Sequence, residues 1–123
     1  MAYTAHTDTF ARDNLPPADE LPEVFFDLPE LRYPARMNCA VELLDRMVAA
    51  GHGDRPAIHA PIGGRRYTCT YRPLLVRAHQ IAPVLVEDLG AVPGNRGLLR
   101  GPNNPRMAGG WFGTGAQLEL VVR

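Results

Sequence analysis

Two cysteines and four histidines are the candidates for a nucleophile–base pair, and their spacing in the sequence gives no credible pair. Serine and lysine are both absent from its 123 residues. A serine triad, a lysine Schiff base and a lysine on a transferred phosphate are therefore excluded for the chain by itself. Cys39 and Cys69 lack the spacing of a zinc site, and we predict a reduced pair rather than a disulfide. We assign no catalytic, cofactor-binding or metal-ligating residue.

The remaining polar candidates each have a structural interpretation. His52 follows the expected end of a helix, and His79 lies beside a helical apolar seam, where a solvated or paired histidine is commoner than a catalytic one. Gly63–Gly64 is predicted to be a turn, because a phosphate-binding loop would continue into a lysine, a hydroxyl and a helix. Asn103 and Asn104 follow a predicted strand, which is where open α/β sheets bind ligands. They also fit a turn before a helix-starting proline, and that interpretation is the stronger.

The elements that would position these side chains lie between Asp54 and Trp111. Arg55–His59 and Arg65–Tyr71 are short β-prone runs, and the Gly–Gly pair between them indicates a hairpin. From Tyr71 to Leu89 apolar residues recur every three or four positions, which predicts a helix that packs on the strands. That face consists of Leu75, Ala78, Ile81, Ala82 and Leu85. Leu98–Arg100 is predicted to be a further strand, with a possible last helix after Pro102–Pro105.

Three further features are predicted: a helix before this segment, a kink within its long helix, and an extended arm at the start of the chain. Asn38 is a suitable N-cap for an amphipathic helix that Gly51 would end. Pro83 removes an amide donor from the long helix and predicts a kink. Met1–Pro34 is rich in prolines and scattered aromatic residues, which predicts an extended arm lying on a larger body; a hook for a partner is the alternative.

The order and spacing of these residues resemble the N-terminal segment of the adenylate-forming acyl-CoA synthetases. Within that family the opening Met1–His6 and the run Asn38–Asp45 are similar to the aryl-CoA branch, closest to 2-aminobenzoate-CoA and benzoate-CoA ligases. The resemblance covers about Met1 to Phe112. Its carrying residues are Gly53–Ile58, Tyr67–Thr68, Thr70–Tyr71, Leu75, Ala78–Ala82, Leu85 and Pro93–Pro105.

The resemblance implies an α/β fold, namely the N-terminal part of the large domain of an adenylate-forming enzyme, with an incomplete sheet and packed helices. It divides the chain into a Pro-rich arm (1–37), a partial α/β subdomain (38–112) and a divergent tail (113–123). From Met107 onward the sequence departs from the family, which continues in an apolar helix to a Lys-Ala-Gly. Here Gly109, Gly110, Gly113 and Gly115 make a poor helix, at about 1 kcal/mol each relative to alanine. A frameshifted or truncated coding sequence would produce such a change.

The family makes an acyl-adenylate from a carboxylic acid and ATP with Mg²⁺, and passes the acyl group to coenzyme A. The phosphate-binding loop and the lysine that this requires are missing here, so we expect a fragment of an aryl-CoA ligase that is inactive alone. A noncatalytic remnant or a small interaction module is the alternative. Self-association, or docking onto the remainder of a ligase, is expected from unpaired strand edges.

Composition excludes other classes of partner. The formal net charge is zero, so no long-range field favours nucleic acid. No apolar run approaches the roughly 18 residues of a membrane span, and no secretory signal is visible. These features predict a cytoplasmic protein without a membrane or nucleic-acid partner.

Overall fold

A β-hairpin packed against helices forms the centre of the computed structural model, which describes residues 6–34 and 37–117. Before the hairpin lie the short helix α1 (Phe10–Asp13), two 3₁₀ turns and a helical segment at residues 39–52 that is largely π-helical. The 3₁₀ turns are Ala18–Glu20 and Pro29–Leu31, and the later elements are β1 (Pro56–Ile62), β2 (Arg65–Thr70), α2 (Tyr71–Pro83), a π-helical turn (Val84–Asp88) and α3 (Pro105–Gln117).

The predicted hairpin is confirmed. Strands β1 and β2 pair antiparallel, and Gly63 and Gly64 connect them with φ of 55° and 74°. Two successive positive φ angles match the twist of the strands, and glycine adopts them without a Cβ penalty. Strand β1 continues to Ile62, past its predicted end, whereas β2 stops at Thr70 because Tyr71 already begins a helix.

Helix α2 confirms the change of period at Tyr71, and it supplies half of the core. Leu74 and Ala78 are buried together with Cys69 of β2 and Leu44 of the helical segment, and Leu75 packs against this cluster. The predicted packing face is only partly correct. Ile81 lies against Gly113 of α3, outside the buried cluster that Ala78 shares with Cys69 of β2.

The pairing of α2 with α3 depends on glycines. A Cβ built at Gly113 would lie 2.7 Å from both Cβ and Cγ2 of Ile81, and one at Gly109 would lie 3.5 Å from Cβ of Arg77. These glycines were predicted to make a poor helix. That prediction is wrong, since α3 is helical through Gln117. Their missing side chains let two backbones approach, and the packing of α2 against α3 offsets their poor propensity. The helix thus runs across the predicted boundary at Phe112.

The predicted strand Leu98–Arg100 is wrong. These residues have no regular structure, and within the described ranges the sheet holds two strands. Leu98 is 93% exposed. A strand is formed by hydrogen bonds to a neighbour, and Gly97 adds flexibility just before this run.

The start of the helical segment is as predicted, and Gly51, its predicted end, is a non-helical residue one position before its last residue. Asn38 Oδ1 accepts hydrogen bonds from the amides of Ala40 (3.0 Å) and Val41 (3.2 Å), which satisfies two of the donors that a helix start leaves free. Gly51 has φ of 82°, the left-handed conformation that turns a chain out of a helix. The arm before this segment has no buried residue in its described helical turns.

Pro83 lies where α2 changes to a π-helical turn rather than at a sharp break. The wider turn accommodates a residue without an amide hydrogen. We expect Pro83→Ala to raise the free energy of unfolding, but by less than the roughly 3 kcal/mol of an interior proline. Urea denaturation of both proteins measures the difference. An unchanged or lower free energy of unfolding would contradict this expectation.

Candidate functional site

An apolar groove lies on the surface between residues 85–99, which follow α2, and the last turns of α3. It has a volume of about 650 Å³, within the range of small-molecule and peptide sites. Leu99 and Trp111 form the wall that it shares with a second depression. We call this feature the apolar groove, and its principal side chains are Leu85, Leu89, Val92, Leu98, Leu99 and Trp111.

The second depression, of about 620 Å³, lies between β1 and the start of α3 and contains the asparagine turn. Asn104 Oδ1 accepts a hydrogen bond of 2.9 Å from the amide of Arg106, so this side chain caps α3. Pro105 is the first residue of that helix. The turn interpretation therefore accounts for Asn104, and the predicted strand end that favoured a ligand is absent. Asn103 remains exposed at the rim.

The titratable candidates are dispersed. His79 Nε2 lies 3.1 Å from Oδ1 of Asp45 and joins α2 to the helical segment. His59 Nδ1 lies 3.0 Å from Oγ1 of Thr68 on the neighbouring strand. Cys69 is buried in the core and Cys39 is half-buried, both as free thiols. The geometry thus supplies binding surfaces, and His59 and His79 are paired with Thr68 and Asp45 rather than with a cysteine.

Among residues 6–34 and 37–117, no three His, Cys, Asp or Glu side chains cluster closely enough to hold a metal ion. In the same part of the chain, no helix is both long and apolar enough to cross a membrane.

One rim of the apolar groove carries a contact that we call the arm latch. The amides of Thr7 and Asp8 both donate to the carbonyl oxygen of Pro93, at 2.8 and 3.0 Å. Asn95 Nδ2 donates to Asp8 Oδ2 at 2.9 Å, across 87 positions of sequence. The guanidinium of Arg96 lies 4.0 Å from the ring centre of Phe10, a cation–π contact. The start of the arm is therefore attached to the Pro93–Arg96 turn.

Asp8 carries the negative charge of the latch. The amide hydrogen of Phe10, then the side-chain amide of Asn95 and the charge of Arg96, hold the pKa of Asp8 below its ordinary value of 3.8. A lowered pKa means that the carboxylate stabilises the folded latch fully above that ordinary value. This contribution is lost as the pH falls through the lowered pKa.

The turn of the latch depends on Gly94. Its φ is 97°, and a Cβ there would lie 2.0 Å from the carbonyl oxygen of Asp8. We expect Gly94→Ala to detach the arm, which exposes the amides of Thr7 and Asp8 to hydrogen exchange. Gly90→Ala is the matched control, because Gly90 has φ of 64° but its Cβ would meet nothing within 4 Å. Exchange that rises equally in both variants would show that backbone strain, and not the clash, governs the arm.

Sequence reasoning missed both the groove and the latch. Trp111 was visible as a lone tryptophan in a glycine-rich run, but the apolar residues around it come from an earlier stretch of the chain, residues 85–99. For the latch no local signal exists, since its partners are joined only by folding.

Comparison with known proteins gives a local similarity to acyl-CoA synthetases. The chain is 49% identical over 63 residues to the acetyl-coenzyme A synthetases of Mycobacterium bovis and of two strains of Mycobacterium tuberculosis. The match covers 49% of this chain and 9% of each relative, so the chain spans about a tenth of their length. No family model matches the chain. No solved structure matches it either.

The comparison supports the general part of the expected resemblance. Acetyl-coenzyme A synthetases are adenylate-forming acyl-CoA synthetases, so the matched stretch is similar to a segment of that class. The relatives act on acetate by name and not on an aromatic acid, so the aryl assignment goes beyond this similarity.

Proposed function

We propose that residues 38–112 are a scaffold segment of an adenylate-forming aryl-CoA ligase, whose whole reaction converts a benzoate or 2-aminobenzoate to its CoA thioester. The observation that carries the ligase assignment is the 49% identity over 63 residues with acetyl-coenzyme A synthetases. The aromatic acid rests on the similarity of Met1–His6 and Asn38–Asp45 to the aryl-CoA branch.

The fold proposed for this segment is the N-terminal part of the large domain. A hairpin with one covering helix layer suits a larger sheet, because both outer edges of β1 and β2 lack a neighbour within the described residues. The proposed partner is the remainder of a ligase, which would pair with those edges. We also propose a cytoplasmic location, where acyl-CoA formation takes place.

The residues present do not fit ATP, Mg²⁺ or coenzyme A. In the family a Ser/Thr/Gly-rich loop that ends in lysine binds the polyphosphate, and this sequence has neither lysine nor serine. The Gly63–Gly64 turn leads into β2 rather than a helix, so it offers no helix N-terminus to a phosphate. We therefore assign no step of adenylation or thioester formation to this chain. Its proposed contribution is to pack against the remainder of the ligase.

Complementation tests the proposal. The chain is co-expressed with a 2-aminobenzoate-CoA ligase that lacks the corresponding segment, and in parallel with an acetyl-coenzyme A synthetase that lacks its own. We expect CoA thioester formation to return in the first pair. Recovery of the acetyl enzyme only would overturn the aryl assignment. Recovery of neither would favour a noncatalytic remnant or small interaction module.

The isolated chain provides the negative control. We expect no pyrophosphate release from ATP with acetate, benzoate or 2-aminobenzoate, because the phosphate-binding loop and the lysine that stabilise the transferred charge in the family are missing. Release that scales with protein concentration and survives further purification would contradict the scaffold proposal.

A further inference from the structure

The two outer edges of the hairpin differ in their capacity to accept a further strand. The two-residue turn at Gly63–Gly64 joins Ile62 to Arg65, so those two residues exchange backbone hydrogen bonds. Because hydrogen-bonded pairs alternate with non-bonded ones, His59 and Pro61 of β1 aim their backbone groups away from β2. Pro61 has no amide hydrogen to donate, which blocks the edge of β1.

The outer edge of β2 is open to a further strand. Arg66 and Thr68 lie opposite Pro61 and His59, so their backbone groups also point away from the hairpin. Both residues have an amide donor, and within residues 6–34 and 37–117 no third strand pairs with them. A two-stranded sheet is only marginally stable by itself, and a strand added to this edge would satisfy the unpaired groups.

The arm contains a segment whose backbone donors are also unpaired. Residues 23–28 lie between Pro22 and Pro29, and they form neither helix nor strand. Among the backbone hydrogen bonds of the described residues, none uses an amide of residues 23–28. We call residues 23–28 the arm segment. Its lack of proline makes it able to pair along its whole length.

The side chains of the arm segment alternate in the pattern of a half-buried strand. One face is apolar and the other contains both carboxylates, namely Val24, Phe26 and Leu28 against Glu23, Phe25 and Asp27. Val24 is 60% and Leu28 61% exposed, so most of the apolar face is uncovered. Strand β2 alternates in the same way, with Tyr67 and Cys69 toward the core and Arg66 toward solvent. The two patterns match when their apolar faces coincide.

The hairpin end beside this edge is positively charged. From Arg55 to Val86 the sequence has five arginines and neither aspartate nor glutamate. Arg65 and Arg66 are exposed, and neither belongs to an ion pair within the described residues. The carboxylate that precedes this stretch, Asp54, lies 3.7 Å from Arg72 at the other end of the hairpin. An acidic strand at the edge of β2 would therefore meet unpaired positive charge.

We propose that the arm segment of one molecule adds to the outer edge of β2 in a second copy, as an antiparallel third strand. The directly opposed pairs of this register are Asp27–Arg66, Phe26–Tyr67 and Phe25–Thr68. The register sets a carboxylate across from a guanidinium, and it extends the core face of β2 with the apolar face of the arm segment. The open amides, the matching alternation and the charge complementarity carry this assignment.

A second copy supplies the strand, because the arm segment does not pair with β2 of its own molecule in the described structure. Each molecule both donates an arm segment and accepts one. A twofold axis therefore makes the contact twice and closes the assembly at a dimer. The inference concerns the chain by itself and does not depend on the ligase proposal.

A charge-reversal cycle tests the pairing of Asp27 with Arg66. Sedimentation velocity of the full chain over a range of concentrations measures the dimer Kd. Asp27→Arg and Arg66→Glu should each raise this Kd by about tenfold or more, because like charges then face each other at two symmetric contacts. A chain with both changes should recover most of the affinity. Asp19→Arg makes the same charge change on the arm outside the arm segment and should leave the Kd unchanged. Circular dichroism verifies the folding of every variant.

Cysteine substitution tests the register itself. Leu28 and Arg65 are opposed in it as a non-hydrogen-bonded pair, at a Cα separation of about 4.5 Å that a disulfide can bridge. Chains with Leu28→Cys and chains with Arg65→Cys are mixed and oxidised, and mass spectrometry of the linked peptides locates the disulfide. We expect the two introduced cysteines to join across two chains. Leu21→Cys replaces Leu28→Cys as the control, because it lies outside the arm segment, and it should give little of the mixed disulfide.

Four results would overturn the proposal. One is a monomer at every concentration. Another is a dimer whose Kd responds to Asp27→Arg no more than to Asp19→Arg. The third is an equal yield of the mixed disulfide from Leu21→Cys and Leu28→Cys. The fourth is a disulfide within a monomer when one chain carries both Leu28→Cys and Arg65→Cys, because the arm segment would then pair with its own β2.

Discussion

Leu74→Ala is expected to lower the free energy of unfolding by about 2–5 kcal/mol, the range for truncating a buried leucine. Leu74 is 2% exposed and packs in the cluster with Leu44, Cys69 and Ala78. Its removal leaves a cavity where the hairpin, the helical segment and α2 meet. A chain with so few buried side chains has a small margin of stability, so much of this variant should be unfolded at room temperature.

Leu98→Ala is the matched control for this prediction. It makes the same chemical change at a side chain that is 93% exposed, and we expect a change within about 0.5 kcal/mol. Urea denaturation followed by circular dichroism measures both variants. Equal losses at Leu74 and Leu98 would mean that the described core is not the one that stabilises the chain.

Gly113→Ala is the second change with a large expected effect, and it tests the helix pair. Alanine is a better helix former than glycine by about 1 kcal/mol. At this position, however, its methyl group would lie 2.7 Å from Cβ of Ile81 and 3.2 Å from the carbonyl oxygen of Ala78. Neither atom is the free end of a flexible side chain, so the helices must separate. We expect a net loss of about 1–3 kcal/mol, the usual cost of overpacking.

Gly109→Ala controls for helix propensity on the same helix. A Cβ there would meet Cβ of Arg77 at 3.5 Å, an ordinary contact distance. We expect this variant to be neutral or more stable, by up to about 1 kcal/mol. Thermal melts in a common buffer compare it with Gly113→Ala. Stabilisation by both substitutions would show that α2 and α3 are not closely packed in solution.

Local interactions explain which predictions succeeded. The hairpin, the start of α2 and the cap at Asn38 each depend on residues a few positions apart, such as Gly63 with Gly64. The turn observed at Pro93–Gly94 also depends on neighbouring residues, since the amide of Asn95 donates to the carbonyl oxygen of Val92. Periodicity and turn chemistry are local properties, and they can be deduced from one sequence.

The failures concern elements whose state depends on neighbours. Leu98–Arg100 has the composition of a strand, but without a partner for its amides it remains irregular. The glycines of α3 predict a weak helix from propensity alone, whereas in the structure Gly113 allows Ile81 of α2 to pack against the backbone of α3. Propensity is a small term per residue, and packing between two elements exceeds it.

By itself the sequence determined the local elements, the absence of lysine and serine, and a resemblance to acyl-CoA synthetases, because all three are properties of residue type and order. Tertiary structure alone decided the close helix pair, the latch between Asp8 and Asn95, and the apolar groove around Trp111. These features join residues far apart in the chain. Their contacts arise only when the backbone brings them together, and no local preference encodes that approach.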